Sequence, residues 1–203
     1  MFTIFPSPRC LALGLCVASA TSFSAMPAVA AEDNFNNEYA PHMTLYMQLT
    51  VSEWLTDPVL LDAIRAQNAA TAGLSEAEIL ALDDEWRGSD DTAALRSSVL
   101  GNAASDYLRT MVAGADGMVT EVFVTDALGL NVAASVATSD YWQGDEAKFS
   151  ETFSVGVDVI HIGDMEVDTS TGAYQGQASM TVTDPDTGAP IGSITVGLLP
   201  DMF

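Results

Sequence analysis

A short stretch from Thr138 to Phe149 concentrates side chains that are suited to holding a small molecule. Within it, the Tyr141-Trp142-Gln143 block stands a few residues before Lys148, the only lysine in the chain. Ligand pockets are walled mainly by aromatic and apolar side chains, and a few polar groups orient the ligand. Because functional residues also concentrate in the connections between regular elements, this stretch predicts a binding site for a small polar molecule.

The same stretch has a structural interpretation that the sequence leaves open. Trp142 then plugs the end of a sheet, Gly144 turns the chain and Asp145 caps a short helix. Lys148 in that case forms a surface ion pair with Asp145 or Glu151, which is worth about 0–1 kcal/mol.

Two later residues extend the predicted site. His161 lies between two isoleucines, and Tyr174 opens the following apolar run. A histidine offers a titratable polar ring, and a tyrosine offers a hydroxyl at the tip of an apolar body. Packing within a sheet is the alternative explanation for both. The predicted ligand-binding set is Tyr141, Trp142, Gln143, Lys148, His161 and Tyr174.

Few sequence patterns point to catalysis or to metal binding. The two histidines, His42 and His161, are not spaced to hold zinc, and no G-x-S-x-G or phosphate-loop motif is present. General acid–base and nucleophilic sites need a tuned pair of groups, and no such pair stands out. We therefore expect no enzyme activity, no metal site and no cofactor.

The charge balance limits the classes of molecule that the protein can bind. The 203 residues include 28 acidic and 6 basic ones, for a formal net charge of -22, and 48% are hydrophobic. Nucleic acids and anionic membranes need a cationic patch that so few basic residues cannot form. The apolar content is typical of a folded chain with the length of one domain. We expect an acidic globular domain that binds no nucleic acid.

The first thirty residues have the layout of a secretory signal peptide. Arg9 is followed by an apolar run too short to span a bilayer, and the segment ends in Ala28-Val-Ala30. The alternative is an uncleaved amphipathic anchor. Removal of residues 1–30 takes away Arg9 and both cysteines, and no later stretch is apolar and long enough to insert into a membrane. We predict a signal peptide at 1–30 and a thiol-free product in the periplasm.

The mature chain divides into a helical part and a sheet part. Leu45, Leu49, Ser52 and Leu55 recur at helical spacing and predict an amphipathic helix that ends near Thr56. Start signals follow at Asp57-Pro58 and at the capping box Ser75-Glu-Ala-Glu78. A fourth helix is predicted from Asp90 or Asp91 to an end around Gly114 to Gly117. Residues 31–117 are therefore predicted to form the helical region of a single domain.

The remainder, 118–203, is predicted to form five antiparallel strands. Val119 to Thr125 and Asn131 to Thr138 form a hairpin, and a connector with a short helix follows at 139–154. Three further strands, at 157–167, 173–183 and 190–199, are joined by turns at 168–172 and 184–188 that begin with Asp and end with Gly. The fold class is thus α+β, with long N-terminal helices packed on a five-stranded antiparallel sheet.

The chain resembles the bacterial Cache sensor domains, which are PAS-like and of the PDC type, over roughly Tyr39 to Leu198. The resemblance is carried by the run Glu121-Val-Phe-Val-Thr-Asp126, by Thr138 to Lys148 with its Trp-Gln-Gly-Asp-Glu block, and by Ile162-Gly-Asp164, Thr171-Gly-Ala-Tyr174, Asp184-Pro185 and Ile191 to Gly197. It implies a periplasmic ligand-sensing domain with a pocket between the sheet and the connector after the second strand.

Two departures from that family shape the expectation. Its amino-acid-binding members have an Arg-x-Trp-Tyr block and an Asp near the end of the last strand, whereas this chain has Asp140 before its aromatic pair and no acid in Ile194 to Gly197. We therefore do not infer from the resemblance that this chain binds amino acids. Such domains also usually sit between two membrane helices, and this chain shows neither a second membrane helix nor an output domain.

The sequence thus predicts a stand-alone exported form that senses a small polar metabolite. Its partner would be a membrane chemoreceptor or sensor kinase, or a second copy packed through the N-terminal helices. The alternative is a periplasmic structural or protein-interaction module with no small ligand.

Overall fold

The computed structural model describes residues 29–88, 90, 93–167 and 174–199, without the side chains of 29–37, 166–167 and 174. The first element, α1 (Val29–Tyr46), runs through a π-helical turn (Met47–Val51) into α2 (Ser52–Trp54). The remaining helices are α3 (Pro58–Thr71), α4 (Glu76–Arg87), α5 (Ala94–Leu100), α6 (Ala103–Gly114) and α7 (Ala147–Ser150). The strands are β1 (Val119–Thr125), β2 (Asn131–Ala134), β3 (Ile160–Val167), β4 (Tyr174–Thr183) and β5 (Pro190–Leu198).

The five strands form one antiparallel sheet in the order β2-β1-β5-β4-β3. The chain inserts its last strand, β5, between β1 and β4, so the centre of the sheet is built from residues far apart in sequence. The buried side chains of α1, α2, α3 and α6 share one core with this sheet, whereas those of α4 and α5 belong to a second core. The predicted α+β fold class is confirmed.

The first helical segment ends where the sequence predicts but buries a different face. Met43, Met47, Val51 and Trp54 point into the core, whereas Leu45 and Leu49 are 51% and 66% exposed. Leu45 and Leu49 therefore lie on the exposed side of this segment, and its buried face is built from the methionines, Val51 and Trp54. The methionines and the valine follow each other at four-residue steps through a π-helical turn, whose i→i+5 hydrogen bonds change the phase of the helix.

The start signals of α3 and α4 are confirmed. Asp57 accepts a hydrogen bond from the N–H of Val59, and Pro58 occupies the first turn. Ser75 and Glu78 form the reciprocal capping box. These caps satisfy backbone donors that have no partner inside the helix.

The predicted fourth helix is divided in two, so that prediction is wrong. Gly101 and Asn102 separate α5 from α6, and the Asn102 side chain caps α6 by accepting from the N–H of Ser105. The same side chain donates to the carbonyl of Val132, at 2.9 Å. This contact with β2 holds α6 against the sheet, which local helical periodicity cannot reveal.

The strands agree closely with the predicted ones. The β1–β2 hairpin is present, although β2 ends at Ala134, before Thr138. At the β4–β5 turn, the Asp184 side chain accepts from the N–H groups of Asp186 and Thr187, and Gly188 has a φ of 71°. The other predicted turn, at 168–172, lies outside the described residues.

The two faces of the sheet differ in chemistry because successive side chains of a strand point to opposite faces. We name the first the helix-covered face; its strand residues are apolar and pack with residues of α1, α3 and α6: Val122, Val124, Ala178, Val182, Ile194 and Val196. The other is the connector-covered face; it is mostly polar and lies under the connector between β2 and β3: Glu121, Phe123, Gln177, Ser179 and Thr195.

The predicted signal peptide lies almost wholly outside the described residues, and its cleavage stays a prediction, as do the domain boundaries. Within the described part of the chain, no helix combines the length and the apolar character needed to cross a bilayer.

Candidate functional site

The connector-covered face is buried although its side chains are polar. A row of cross-strand neighbours runs from His161 through Ser179 and Thr195 to Phe123. The hydroxyls of Ser179 and Thr195 lie 2.9 Å apart and hydrogen-bond to each other, and both residues are at most 1% exposed. Burying hydroxyls costs free energy unless they are paired, and this pairing offsets that cost.

Glu121 lies beside this row at the centre of the sheet and is only 2% exposed. Its Oε1 accepts from the side-chain amides of Gln175, at 2.7 Å, and Gln177, at 3.0 Å. Hydrogen bonds to a carboxylate are stronger than those between neutral groups. Glu121 is therefore held in one position by β4.

The connector is anchored to α4. The buried Asp83 accepts from the backbone N–H groups of Tyr141, at 2.8 Å, and Trp142, at 3.0 Å, and its other oxygen contacts Arg87. Trp86, one helical turn later, donates its indole N–H to the carbonyl of Thr138 at 2.9 Å. Two side chains of one helix thus fix the path of the connector.

A second anchor joins the connector to the β1–β2 turn. The N–H of Gln143 donates to the carbonyl of Gly129 at 2.8 Å, and the Trp142 indole donates to the carbonyl of Leu128 at 2.9 Å. Gly129 has a φ of 81°, and a side chain on it would collide with the backbone of Gly144. Two glycines therefore allow the close approach that places Gln143 over the sheet.

Two adjacent cavities lie between the connector and this face. The large cavity, about 190 Å³, is lined by Glu146, Ala147, Lys148, His161, Gly163, Asp164, Gln177 and Ser179. The small cavity, about 20 Å³, is lined by Glu121, Phe123, Thr138, Ser139, Gln143, Lys148 and Gln177. Lys148 and Gln177 belong to both linings, so the two cavities are direct neighbours.

Lys148 stands between the two cavities in an ion pair. Its Nζ lies 2.9 Å from the carboxylate of Glu146, and its side chain is 18% exposed. The predicted surface pairing with Asp145 or Glu151 is therefore wrong in its partner. The Nζ is also 5.7 Å from the centre of the Phe123 ring, within the range of a cation–π contact.

The structure brings together three of the six predicted site residues. Gln143, Lys148 and His161 line the two cavities, from the connector and from β3. Tyr174 begins β4 and pairs with Val167, and its side chain lies outside the described residues.

Tyr141 and Trp142 line neither of these cavities. The Tyr141 ring stacks on Trp86 at 5.6 Å, in a second core that also contains Phe123 and Leu130. Burial, and then the nearby Asp126, raise the pKa of the Tyr141 hydroxyl above its ordinary value. The aromatic pair therefore packs the connector against α4 and the β1–β2 turn.

Several cavity residues were missed by the sequence reasoning. Glu121, Gln177 and Ser179 carry polar side chains into the site. The strand of Gln177 and Ser179, β4, shows a plain alternation of polar and apolar residues. That alternation was available from the sequence. It is normally typical of a sheet with one solvated face, so it gave no sign that the polar face is covered.

Among the described residues, no group of three or more His, Cys, Asp and Glu side chains is arranged to hold a metal ion. The chemistry of the cavities is thus that of hydrogen-bond donors and acceptors around an ammonium, an imidazole and carboxylates.

No family model matches the chain, and neither does any curated protein. Solved structures do match. The chain is similar to the sensor domain of the V. cholerae histidine kinase DctB, with 13% identity, a TM-score of 0.44, and coverage of 84% of this chain and 54% of that one. It is also similar to the sensory domain of the Campylobacter jejuni chemoreceptor Tlp3 with isoleucine bound, with 14% identity, a TM-score of 0.38, and coverage of 84% and 61%.

The chain therefore spans little more than half of the length of these structures. Both of these structures are sensory domains of bacterial signalling proteins.

Proposed function

We propose that this protein is an exported sensory domain that binds a small polar metabolite between the connector and the sheet. The observation that carries the proposal is the large cavity, because polar and charged side chains line it on a buried face of the sheet, among them an ammonium and an imidazole. Its volume of about 190 Å³ lies below the roughly 300–1,000 Å³ of pockets for drug-sized molecules, which suits a compact ligand.

In this proposal Lys148, Gln143 and His161 contact the ligand directly. Tyr141 and Trp142 hold the connector in place and so position Gln143 and Lys148. Residues 1–30 direct export and are removed, residues 31–203 form a single periplasmic domain, and a membrane chemoreceptor or sensor kinase recognises its ligand-bound form.

A thermal-shift screen of carboxylates, amines, purines and urea-like compounds tests the proposal. A ligand at 100 times its dissociation constant stabilises the folded state by about 2.7 kcal/mol. We expect at least one class of compound to raise the melting temperature, because binding to the folded state alone shifts the unfolding equilibrium.

Gly163→Val makes this screen specific to the cavity. A Cβ at Gly163 would lie 3.4 Å from the carbonyl oxygen of Gln177, so the added side chain fits the strand but takes up cavity space. We expect this variant to lose the ligand-induced shift. Gly73→Val is the matched control, since a Cβ there would meet no atom within 4 Å. If no compound stabilises the protein, ligand sensing is refuted.

A second candidate function, a protein-interaction module, is favoured by the N-terminal helices. Leu45 and Leu49 are exposed and border a shallow cavity of about 300 Å³ that His42, Tyr46, Thr50 and Met118 complete. None of these six residues is acidic, in a chain with 28 acids. By contrast, Leu60, Leu61 and Ile64 of α3 are buried.

In this second candidate the patch binds another copy of the chain. Analytical ultracentrifugation should then show a dimer that Leu45→Ser with Leu49→Ser converts to a monomer, while Leu80→Ser, on an exposed site of α4, leaves it intact. A wild-type protein that stays monomeric at high concentration would remove the second copy as the occupant.

A further inference from the structure

The side-chain amide of Gln143 has a defined orientation. Its Nε2 donates to the carboxylate Oδ1 of Asp140, at 2.7 Å, and to the carbonyl of the same residue, at 3.1 Å. Turning the amide over would place its oxygen against these two acceptors. The two donated hydrogen bonds therefore decide which atom is the nitrogen and which is the oxygen.

The oxygen of this amide has no hydrogen-bond partner among the described residues, although Gln143 is only 1% exposed. Gln143 lines the small cavity, and Asp140, which takes both hydrogens of the amide, does not. Because the nitrogen is occupied by Asp140, Oε1 is the polar atom of this side chain that is left for a further partner. A buried acceptor without a donor is costly, so this oxygen calls for a donor from a bound molecule.

The charges around the cavities favour a cation. Three carboxylates, those of Glu121, Glu146 and Asp164, line the two cavities, and Lys148 is the permanent cation of the linings. Lys148 is already paired with Glu146. The acidic surface of the whole chain adds to this potential and attracts cations from solution.

The size of the small cavity limits what can enter it. Its volume of about 20 Å³ exceeds the 10–15 Å³ or so that one water-sized group needs, and leaves no room for a second. A primary ammonium group meets this limit and brings three N–H donors. A trimethylated nitrogen is too large and brings none.

We propose that the small cavity is the subsite for a primary ammonium group of the ligand. The N–H groups of this ammonium donate to Oε1 of Gln143, on the connector, and to the carboxylate of Glu121, on β1. The rest of the ligand occupies the large cavity. The ligand is then a small primary amine, and this inference rests on the proposed function.

Isothermal titration of the mature protein with four matched probes tests the charge and the size of this group. Ethanolamine carries the ammonium, choline replaces it by a trimethylated nitrogen, ethylene glycol by a neutral hydroxyl, and glycolate by a carboxylate. We expect saturable binding of ethanolamine alone, and the same selectivity for propylamine over propionate.

Two substitutions test the acceptors. Gln143→Leu removes the orphan oxygen at similar volume, and Glu121→Gln removes the charge while keeping an acceptor for Gln175 and Gln177. Each should weaken ethanolamine about ten- to hundred-fold, as expected for the loss of one hydrogen bond to a charged group. Glu151→Gln, an exposed change of the same charge on the connector, is the control and should leave binding unchanged.

The outcomes separate this inference from the proposed function. Binding of glycolate or choline in preference to ethanolamine, abolished by Gly163→Val, would leave ligand sensing intact and overturn the ammonium subsite. Ethanolamine binding that survives both Gln143→Leu and Glu121→Gln would also overturn it. If neither these probes nor the wider screen binds, both proposals fail.

Discussion

Ile194 and Thr195 are neighbours in β5, and both are at most 1% exposed, yet they serve opposite faces of the sheet. Ile194 packs with the apolar side chains of α1, α3 and α6. Thr195 faces the connector and hydrogen-bonds to Ser179. Burial of apolar area contributes about 25 cal/mol per Å², whereas a paired hydroxyl contributes about 0.5–1.5 kcal/mol net.

The two faces of the sheet therefore contribute differently to the stability of the fold and to the candidate site. The helix-covered face supplies the stability of the fold, because its burial gains free energy without needing defined partners. The connector-covered face gains less, and what it provides is a set of donors and acceptors in defined positions beside two cavities. Four substitutions or conditions test this division.

The largest effect is expected on the helix-covered face. Ile194→Ala should lower the free energy of unfolding by about 2–5 kcal/mol, because it leaves a cavity at a fully buried site. Urea unfolding followed by circular dichroism measures the change. Val136→Ala, at a 40% exposed position, should cost far less, and equal costs at the two sites would contradict the assignment of the core.

The anchor of the connector comes next. Asp83→Ala should cost about 2–4 kcal/mol of unfolding free energy, because the N–H groups of Tyr141 and Trp142 lose their acceptor in a buried setting. It should also abolish ligand-induced stabilisation, since the connector bears Gln143 and Lys148. Asp84→Ala, on the same helix with an exposed side chain, is the control. If the two variants melt alike, α4 does not hold the connector.

A smaller effect is expected for the hydroxyl pair of the connector-covered face. Ser179→Ala should cost about 1 kcal/mol because Thr195 loses its partner. Adding Thr195→Val should recover most of that loss, since replacing both partners by apolar groups is nearly neutral. A double-mutant cycle in urea measures the coupling. A double variant less stable than the sum of the single variants would mean that polarity on this face is needed for folding.

The smallest effect concerns the rim of the helix-covered face. Arg65 on α3 donates to both carboxylate oxygens of Asp184, at 2.7 and 2.8 Å, and these hydrogen bonds lower the pKa of Asp184 to about 2. Its unfolded-state pKa is about 3.9, so the contribution of Asp184 is complete above that pH and is lost as the pH falls towards 2. The stability of wild type should therefore fall more steeply than that of Asp184→Asn between about pH 4 and 2. Parallel curves in acid titrations of urea unfolding would argue against the ion pair.

Much of the fold could be predicted from local signals. The capping box at Ser75, the proline start at Pro58 and the turn at Asp184 act through the nearest few residues of backbone, and all three are present. The face of α1 could not be predicted, because both the leucine and the methionine positions recur at helical spacing and the sheet selects between them. The break at Gly101 was missed because Asn102 gains a partner in β2.

Only part of the candidate site could be predicted from the sequence. Lys148 and Gln143 stood out by composition, and both line the cavities. Tyr141 and Trp142 stood out for the same reason, but they pack against α4 and the β1–β2 turn. The type of a residue shows that its side chain is large and polar at one end. It does not show which neighbour the polar end hydrogen-bonds to.

The class of fold, the acidic surface and the alternation that makes one face of the sheet polar can be predicted without a structure, because they follow from composition and from periods of a few residues. Only the packing of the whole chain shows that the polar face is covered, that Glu121 lies beneath the connector and that Gln143 lines a cavity with a buried, unpartnered oxygen. Those facts depend on β1, β4 and the connector meeting across separations of tens of residues. Contacts of that range depend on how the whole chain packs, which no local pattern records.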